Sequence, residues 1–157
     1  MTTEEIAAQF EIRDLIARYN QCGDANDVHG YAGTFAPDGV IEGIGYSFAG
    51  REAILAWKIA RTPGAGSASV AGPLFRRHNV TTTRITLDGP DRASGLVYWM
   101  VVSELGLDHA GFYTDRYVRV GGEWLIGHRL VTIIWRHEHS VVTPDQIAPE
   151  FVPAAKD

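Results

Sequence analysis

Cysteine is almost absent from this chain: Cys22 is the only one in 157 residues. An intramolecular disulfide framework and a cysteine-based zinc site are therefore both excluded. Long apolar runs are missing as well. None approaches the roughly 18 residues of a membrane span, so no membrane partner is expected. A basic stripe is lacking too. The net charge is −5, the pI is about 5.6 and the arginines are scattered, which argues against a nucleic-acid partner. No phosphate loop or dinucleotide fingerprint follows a predicted strand, and Gly43-Ile44-Gly45 reads as a hairpin turn. The polar, acidic start (Thr2, Thr3, Glu4, Glu5) is unlike a secretory leader, so a cytoplasmic protein is expected. No repeat or internal boundary interrupts the chain. A single domain over residues 1–157 is expected, with a core at about 4–136 and a tail at about 137–157.

What is present begins with a helix. Thr2 and Glu5 form a capping-box pattern, and Ile12, Leu15, Ile16 and Tyr19 recur at i, i+3, i+4, i+7, which predicts an amphipathic helix to about Gln21 with Gly23 as its C-cap. Asn26-Asp27 is expected to open a second short helix through Tyr31 and Phe35. Ala36-Pro37-Asp38-Gly39 reads as a turn, Val40–Ile44 and Tyr46–Phe48 as a hairpin, and Ile54, Leu55 and Trp57 as the apolar side of a third helix ending near Arg61.

Thr62 to Pro73 is rich in Gly, Ala and Ser and reads as a long loop, of the kind that often carries function. Strands follow at Phe75–Leu87, Ala93–Leu105, Gly111–Val120 and Glu123–Arg136, joined by short turns into an antiparallel meander. The second strand is apolar on both faces. The predicted class is α+β: a curved, cone-shaped, mostly antiparallel sheet wrapped around the N-terminal helices and enclosing a pocket.

The order of elements and several local stretches resemble the nuclear-transport-factor-2-like superfamily, in its SnoaL-like branch. These stretches are Ile12 to Tyr19, Tyr31 to Gly39, Gly50 to Ile54, Arg77 to Thr81, Gly111 to Tyr117 and Gly122-Glu123-Trp124. The resemblance extends to scytalone dehydratase, bile-acid 7α-dehydratase and γ-hexachlorocyclohexane dehydrochlorinase. They keep an Asp at the end of the first long helix and a His on the first meander strand. Asp24 and His78 fall at those places, and Tyr19 matches a tyrosine ahead of the Asp in the bile-acid enzyme. The resemblance implies an elimination with His78 as base.

Taken as residues, these positions have alternative readings. Asp24 is either the partner of His78 or a cap for the next helix, and Tyr19 is either a hydroxyl donor or an ordinary core tyrosine. Asp115 and Arg129 are either a cross-strand ion pair or groups that orient a substrate. Tyr98, Trp99 and Met100 are candidate apolar pocket lining, with Tyr98 and Met100 on one face of the strand and Trp99 on the other. His128, His137 and His139 lack a third ligand in a familiar arrangement, so no metal is expected, and Cys22 reads as a small buried hydrophobe.

The function expected is a cofactor-independent lyase or isomerase acting on a hydrophobic cyclic small molecule, with dehydratase-like elimination favoured. The alternative is a non-catalytic binding or assembly subunit, as in the small subunits of ring-hydroxylating dioxygenases. A homo-oligomer, dimer or trimer, is expected because the β-rich half offers a broad apolar surface.

Overall fold

The computed structural model describes residues 1–62 and 75–151. Helix α1 spans Thr3–Ala25 and starts with the predicted capping box. The Glu5 amide donates to Thr2 Oγ1 at 3.2 Å, and the Thr2 amide donates to Glu5 Oε2 at 2.7 Å. The helix runs past Gln21, through Gly23, and stops at Asn26, whose φ of 57° is the left-handed turn that asparagine tolerates. Asp24 therefore lies in the last helical turn.

Asp27 caps the short helix α2, Val28–Gly33, by accepting from the Gly30 amide at 2.8 Å. Phe35 is not helical; it opens strand β1, Phe35–Gly43. The Pro37-Asp38-Gly39 signal marks an irregularity in this strand, where its register shifts between Phe35 and Val40, and not a separate turn. A Cβ at Gly39 would stand 2.7 Å from the Ile126 carbonyl oxygen, so glycine allows the close approach. Strand β2, Tyr46–Ala49, returns antiparallel along β1, and α3 covers Arg51–Arg61. Apart from Thr62 and Phe75, the loop expected at 62–73 and its approach to β3 lie outside the described residues.

The meander consists of β3 (Arg76–Leu87), β4 (Arg92–Ser103), β5 (Gly106–Val120) and β6 (Glu123–Arg136). All six strands form one sheet in the order β2-β1-β6-β5-β4-β3. Every pairing is antiparallel except β1 with β6, which is parallel. The hairpin thus extends the meander by joining its last strand. Gly121 and Gly122 turn β5 into β6 with φ of 61° and 87°.

The predicted apolar face of α1 is the buried one. Ile12 and Leu15 are fully covered, Ile16 and Tyr19 nearly so, and they pack with Val97, Val101, Tyr113, Tyr117 and Ile126 of the sheet. Each fully buried Ile or Leu contributes about 1.5–3 kcal/mol. Strand β4 decides between its two apolar faces by this packing. Val97, Trp99 and Val101 point inward, whereas Tyr98 and Met100 are 46% and 37% exposed on the outer face. This corrects the expectation that Tyr98 and Met100 line the pocket.

After β6 the chain makes a 3-10 turn at Pro144–Gln146, and Ala148 donates to the Ile133 carbonyl at 2.9 Å, holding this stretch against β6. Among the described residues no helix is long and apolar enough to cross a membrane.

Candidate active site

A cavity of about 510 Å³ opens between the C-terminal end of α1, α2, α3, the concave face of the sheet and the stretch after β6. Asp24 and His78 both line it. The Asp24 carboxylate accepts two hydrogen bonds from His78: Nδ1 donates to Oδ1 at 2.6 Å and the backbone amide donates to Oδ2 at 2.9 Å. Both side chains are largely covered, at 12% and 21% exposure.

Burial pushes the Asp24 carboxyl up, but the hydrogen bonds from His78 and the charges of His78 and Arg76 outweigh it, so the group stays below its ordinary value. An ionised carboxylate only accepts. The proton between the two groups therefore sits on Nδ1, which leaves Nε2 as the ring nitrogen available to a ligand. No described residue hydrogen-bonds to Nε2.

Tyr19 enters the cavity from α1 and shares a 2.6 Å hydroxyl–hydroxyl hydrogen bond with Tyr31 of α2. Burial raises the pKa of both phenols, so each keeps its proton. Tyr19 is braced from below. Arg129 lies with its guanidinium carbon 4.0 Å from the Tyr19 ring centroid and 4.1 Å from that of Tyr113. Asp115 fixes that guanidinium through Nε at 2.8 Å and Nη2 at 2.6 Å, and the Tyr117 hydroxyl donates to the same carboxylate at 2.5 Å. Asp115 and Arg129 are fully buried and do not line the cavity, so their expected contact with substrate is corrected. They form the cross-strand pair, with Asp115 opposite Arg129 in the β5–β6 register. Trp99 does line the cavity, stacked on Tyr113 at 5.4 Å.

Two groups of side chains at the cavity, one reaching it through His109 with Asp108 behind, were not singled out from the sequence. The first is a second imidazole–carboxylate pair. His109 Nδ1 donates to Asp108 Oδ1 at 2.6 Å, and Asp108 also accepts from Ser103 at 2.8 Å and Ser140 at 2.5 Å. Burial lowers the His109 pKa, and the Asp108 charge only partly offsets it. Trp99 stands between the two imidazoles, with centroids 6.2 Å from His78 and 5.6 Å from His109. The sequence signal is the Asp108-His109 dipeptide at the start of β5. The second group is cationic: Lys58 and Arg61 from α3, and Arg76 and Arg77 from β3.

His128 pairs with Glu42 at 2.8 Å away from the cavity, and His137 and His139 lie in the exposed turn after β6. No set of three metal-ligating side chains comes together among the described residues. Cys22 is only partly buried, with its thiol 3.7 Å from an Asp27 oxygen.

Solved structures share this fold. A protein of unknown function from Mycobacterium tuberculosis is 26% identical, with 90% of this chain and 80% of that one covered at a TM-score of 0.72. A protein from Novosphingobium aromaticivorans, provisionally assigned as a scytalone dehydratase, is 18% identical over 90% and 94% of the two chains at 0.75. The hexachlorocyclohexane dehydrochlorinase LinA-type3 of Novosphingobium barchaimii is 18% identical over 90% and 98% at 0.70. No curated protein matches the chain. The family model for the SnoaL-like domain matches residues 4–130, from the first turn of α1 into β6. The chain therefore belongs to the SnoaL-like family, and its helices and six-stranded sheet are the α+β cone of that fold.

Proposed function

We propose that this protein is a lyase or isomerase that removes a proton from a hydrophobic cyclic small molecule, with His78 as the base. The observation that carries this reading is the double hydrogen bond from His78 to an ionised Asp24 inside the cavity. In the neutral ring this hydrogen bond puts the lone pair on Nε2, and the carboxylate stabilises the imidazolium once the proton arrives. In an elimination, the C–H proton passes to Nε2 and the C–H electron pair becomes the new double bond. The leaving group departs with its own bonding pair, and Tyr19 donates a hydrogen bond to it or to a developing enolate. Base, orienting carboxylate and donor are all side chains, so the chemistry asks for no cofactor. Trp99 supplies apolar surface beside the base.

An open cavity lined by both Asp24 and His78 supports this reading over a purely structural or assembly subunit. The exposed outer side chains Leu96, Tyr98 and Met100 on β4 and Leu130 on β6 are the surface through which a homo-oligomer would form. A monomer by light scattering at micromolar concentration overturns that part.

The test of the reaction is a thermal-shift screen with steroids, polyketide aromatics, terpenoids and chlorinated cycles, followed by turnover of the stabilising class. Wild type should consume it. His78→Gln should bind it with turnover reduced about 10²–10⁴-fold. Equal turnover by the two proteins rejects His78 as the base.

A further inference from the structure

We infer that the substrate carries an anionic group, a carboxylate or its equivalent, held between Lys58 of α3 and Arg76 of β3 next to His78. This inference rests on the proposed reaction at that cavity and names the class of molecule that enters it.

The argument is one of charge placement. The chain as a whole is acidic, at −5. Its cavity is not: Lys58 and Arg76 line it half-buried and Arg61 and Arg77 line it as exposed residues, against the single carboxylate of Asp24. Asp24 already accepts two hydrogen bonds from His78. None of the four cations forms an ion pair among the described residues, although Arg18, Arg119 and Arg129 elsewhere do. The stretch 63–74 that joins α3 to β3 contains no Asp or Glu to pair with them.

The cationic groups act on one another. Burial, joined by the charges of Arg76 and Arg61, lowers the Lys58 pKa to about 8, with only Asp24 opposing. Arg76 in turn is near enough to Asp24 to help hold its carboxyl ionised. Lys58 Nζ lies 4.4 Å from the Tyr31 ring centroid, beside the Tyr19–Tyr31 hydroxyl pair. The Nε of Arg76 is buried and has no hydrogen-bond partner among the described residues. Like charges gathered without a counter-ion in a half-dry cavity destabilise the fold, and such an arrangement is characteristic of sites that bind the missing charge. One-signed clefts also concentrate ligands of the opposite sign.

The location gives the anion a chemical use. Arg76 precedes His78 by two positions on β3, so both side chains leave the same face of the strand. A carboxylate or carbonyl oxygen held there places its α-carbon toward Nε2. The cations then stabilise negative charge as it spreads onto that oxygen.

The experiment compares matched acids and neutral analogues by calorimetry at pH 7: 1-naphthoate, 2-hydroxybenzoate and cyclohexanecarboxylate, each against its methyl ester. Wild type should bind at least one acid about tenfold or more tightly than its ester. That preference should shrink in Lys58→Met and in Arg76→Leu, and in wild type as sodium chloride rises from about 0.05 to 0.5 M. Melting curves of both variants establish that they are folded. Equal binding of acid and ester, or binding of no acid in the panel, overturns the inference. His78→Gln separates it from the proposed reaction. If that variant keeps the acid preference, the anion site stands whatever becomes of the base. If His78 proves to be the base while esters bind as well as acids, the reaction stands without the anion site.

Discussion

Asp24 and His78 are joined twice, once through the imidazole at 2.6 Å and once through the backbone amide at 2.9 Å. The second bond ties the end of α1 to the start of β3, so the carboxylate orients the ring and also fixes the strand that carries it. Asp24→Asn has one acceptor where two are needed, and its amide nitrogen favours the wrong imidazole tautomer. Turnover of the cavity's substrate should fall about 10²–10⁴-fold, as in His78→Gln, and the double variant should be no worse than either single one. Additive losses in steady-state kinetics contradict a unit of two residues.

Asp24 and Asp108 both titrate below their ordinary values in the folded chain; in each, hydrogen bonding overcomes the upward push of burial. A carboxyl whose folded pKa is depressed stabilises the fold above its unfolded pKa, and that contribution disappears as pH falls through the folded value. Wild-type melting temperature should therefore drop steeply below about pH 4. In Asp108→Asn the drop should be shallower, and the melting temperature at pH 7 should already be lower, because Ser103, Ser140 and His109 lose a shared acceptor.

Lys58 runs the other way. Its folded pKa of about 8 lies below the value for an unfolded lysine, so the ammonium is carried at a cost. Between about pH 8 and 10.5 the unfolded chain binds the extra proton, and stability should rise with pH there. Lys58→Met should abolish that rise and raise stability at pH 7 by roughly 2 kcal/mol in urea denaturation. A stabilised protein that no longer prefers acids over esters is the expected pairing.

The buried Asp115–Arg129 pair props Tyr19 from below. Removing either partner leaves an unpaired charge in the core and should cost about 3–5 kcal/mol. Replacing both, Asp115→Leu with Arg129→Met, should recover most of that loss while leaving the Tyr19 ring unsupported. Chemical denaturation measures the first effect, and the Tyr19 ring shifts in NMR report the second.

Gly111 of β5 lies opposite a bulge in β6, where Ala110 pairs with Trp135 and Gly111 with Ile133, leaving Ile134 as the extra residue. A Cβ there would lie 1.9 Å from the Thr132 carbonyl oxygen and 2.8 Å from the Trp99 ring. Gly111→Ala should force this part of β5 away from β6 and displace Trp99 from the cavity wall. The expected readout is a melting temperature several degrees lower with altered tryptophan fluorescence.

Local signals carried most of the architecture. The helix spacing of Ile12, Leu15, Ile16 and Tyr19 and the glycine turn at 121–122 mark features that depend on neighbours in the chain. Strand β4 shows where that stops. Its residues alternate correctly, but both sets are apolar, and only packing against α1 reveals that Trp99 is inside and Tyr98 outside. The parallel β1–β6 pairing and the convergence of Lys58 and Arg76 on one cavity have no local signature, because each joins segments distant in sequence. Asp24 and His78 were legible through family resemblance. Asp108 and His109 were visible as a dipeptide, but their partners Ser103 and Ser140 come together only in the folded chain.

Because β1 pairs with β6, with Phe35 beside Ile126, an early segment must wait for the last strand before its edge is filled. Until then the concave wall has a gap where β1 belongs, and the helices have an incomplete surface to settle on. Chains dominated by such distant pairings fold slowly, since the entropy of closing the long loop is lost before the contact compensates for it. The meander can zip locally, hairpin by hairpin, and closure of the cavity is then a late event. In a stopped-flow experiment, a substitution that weakens the β1–β6 seam, such as Ile41→Ala, should chiefly accelerate unfolding and leave the folding rate nearly unchanged.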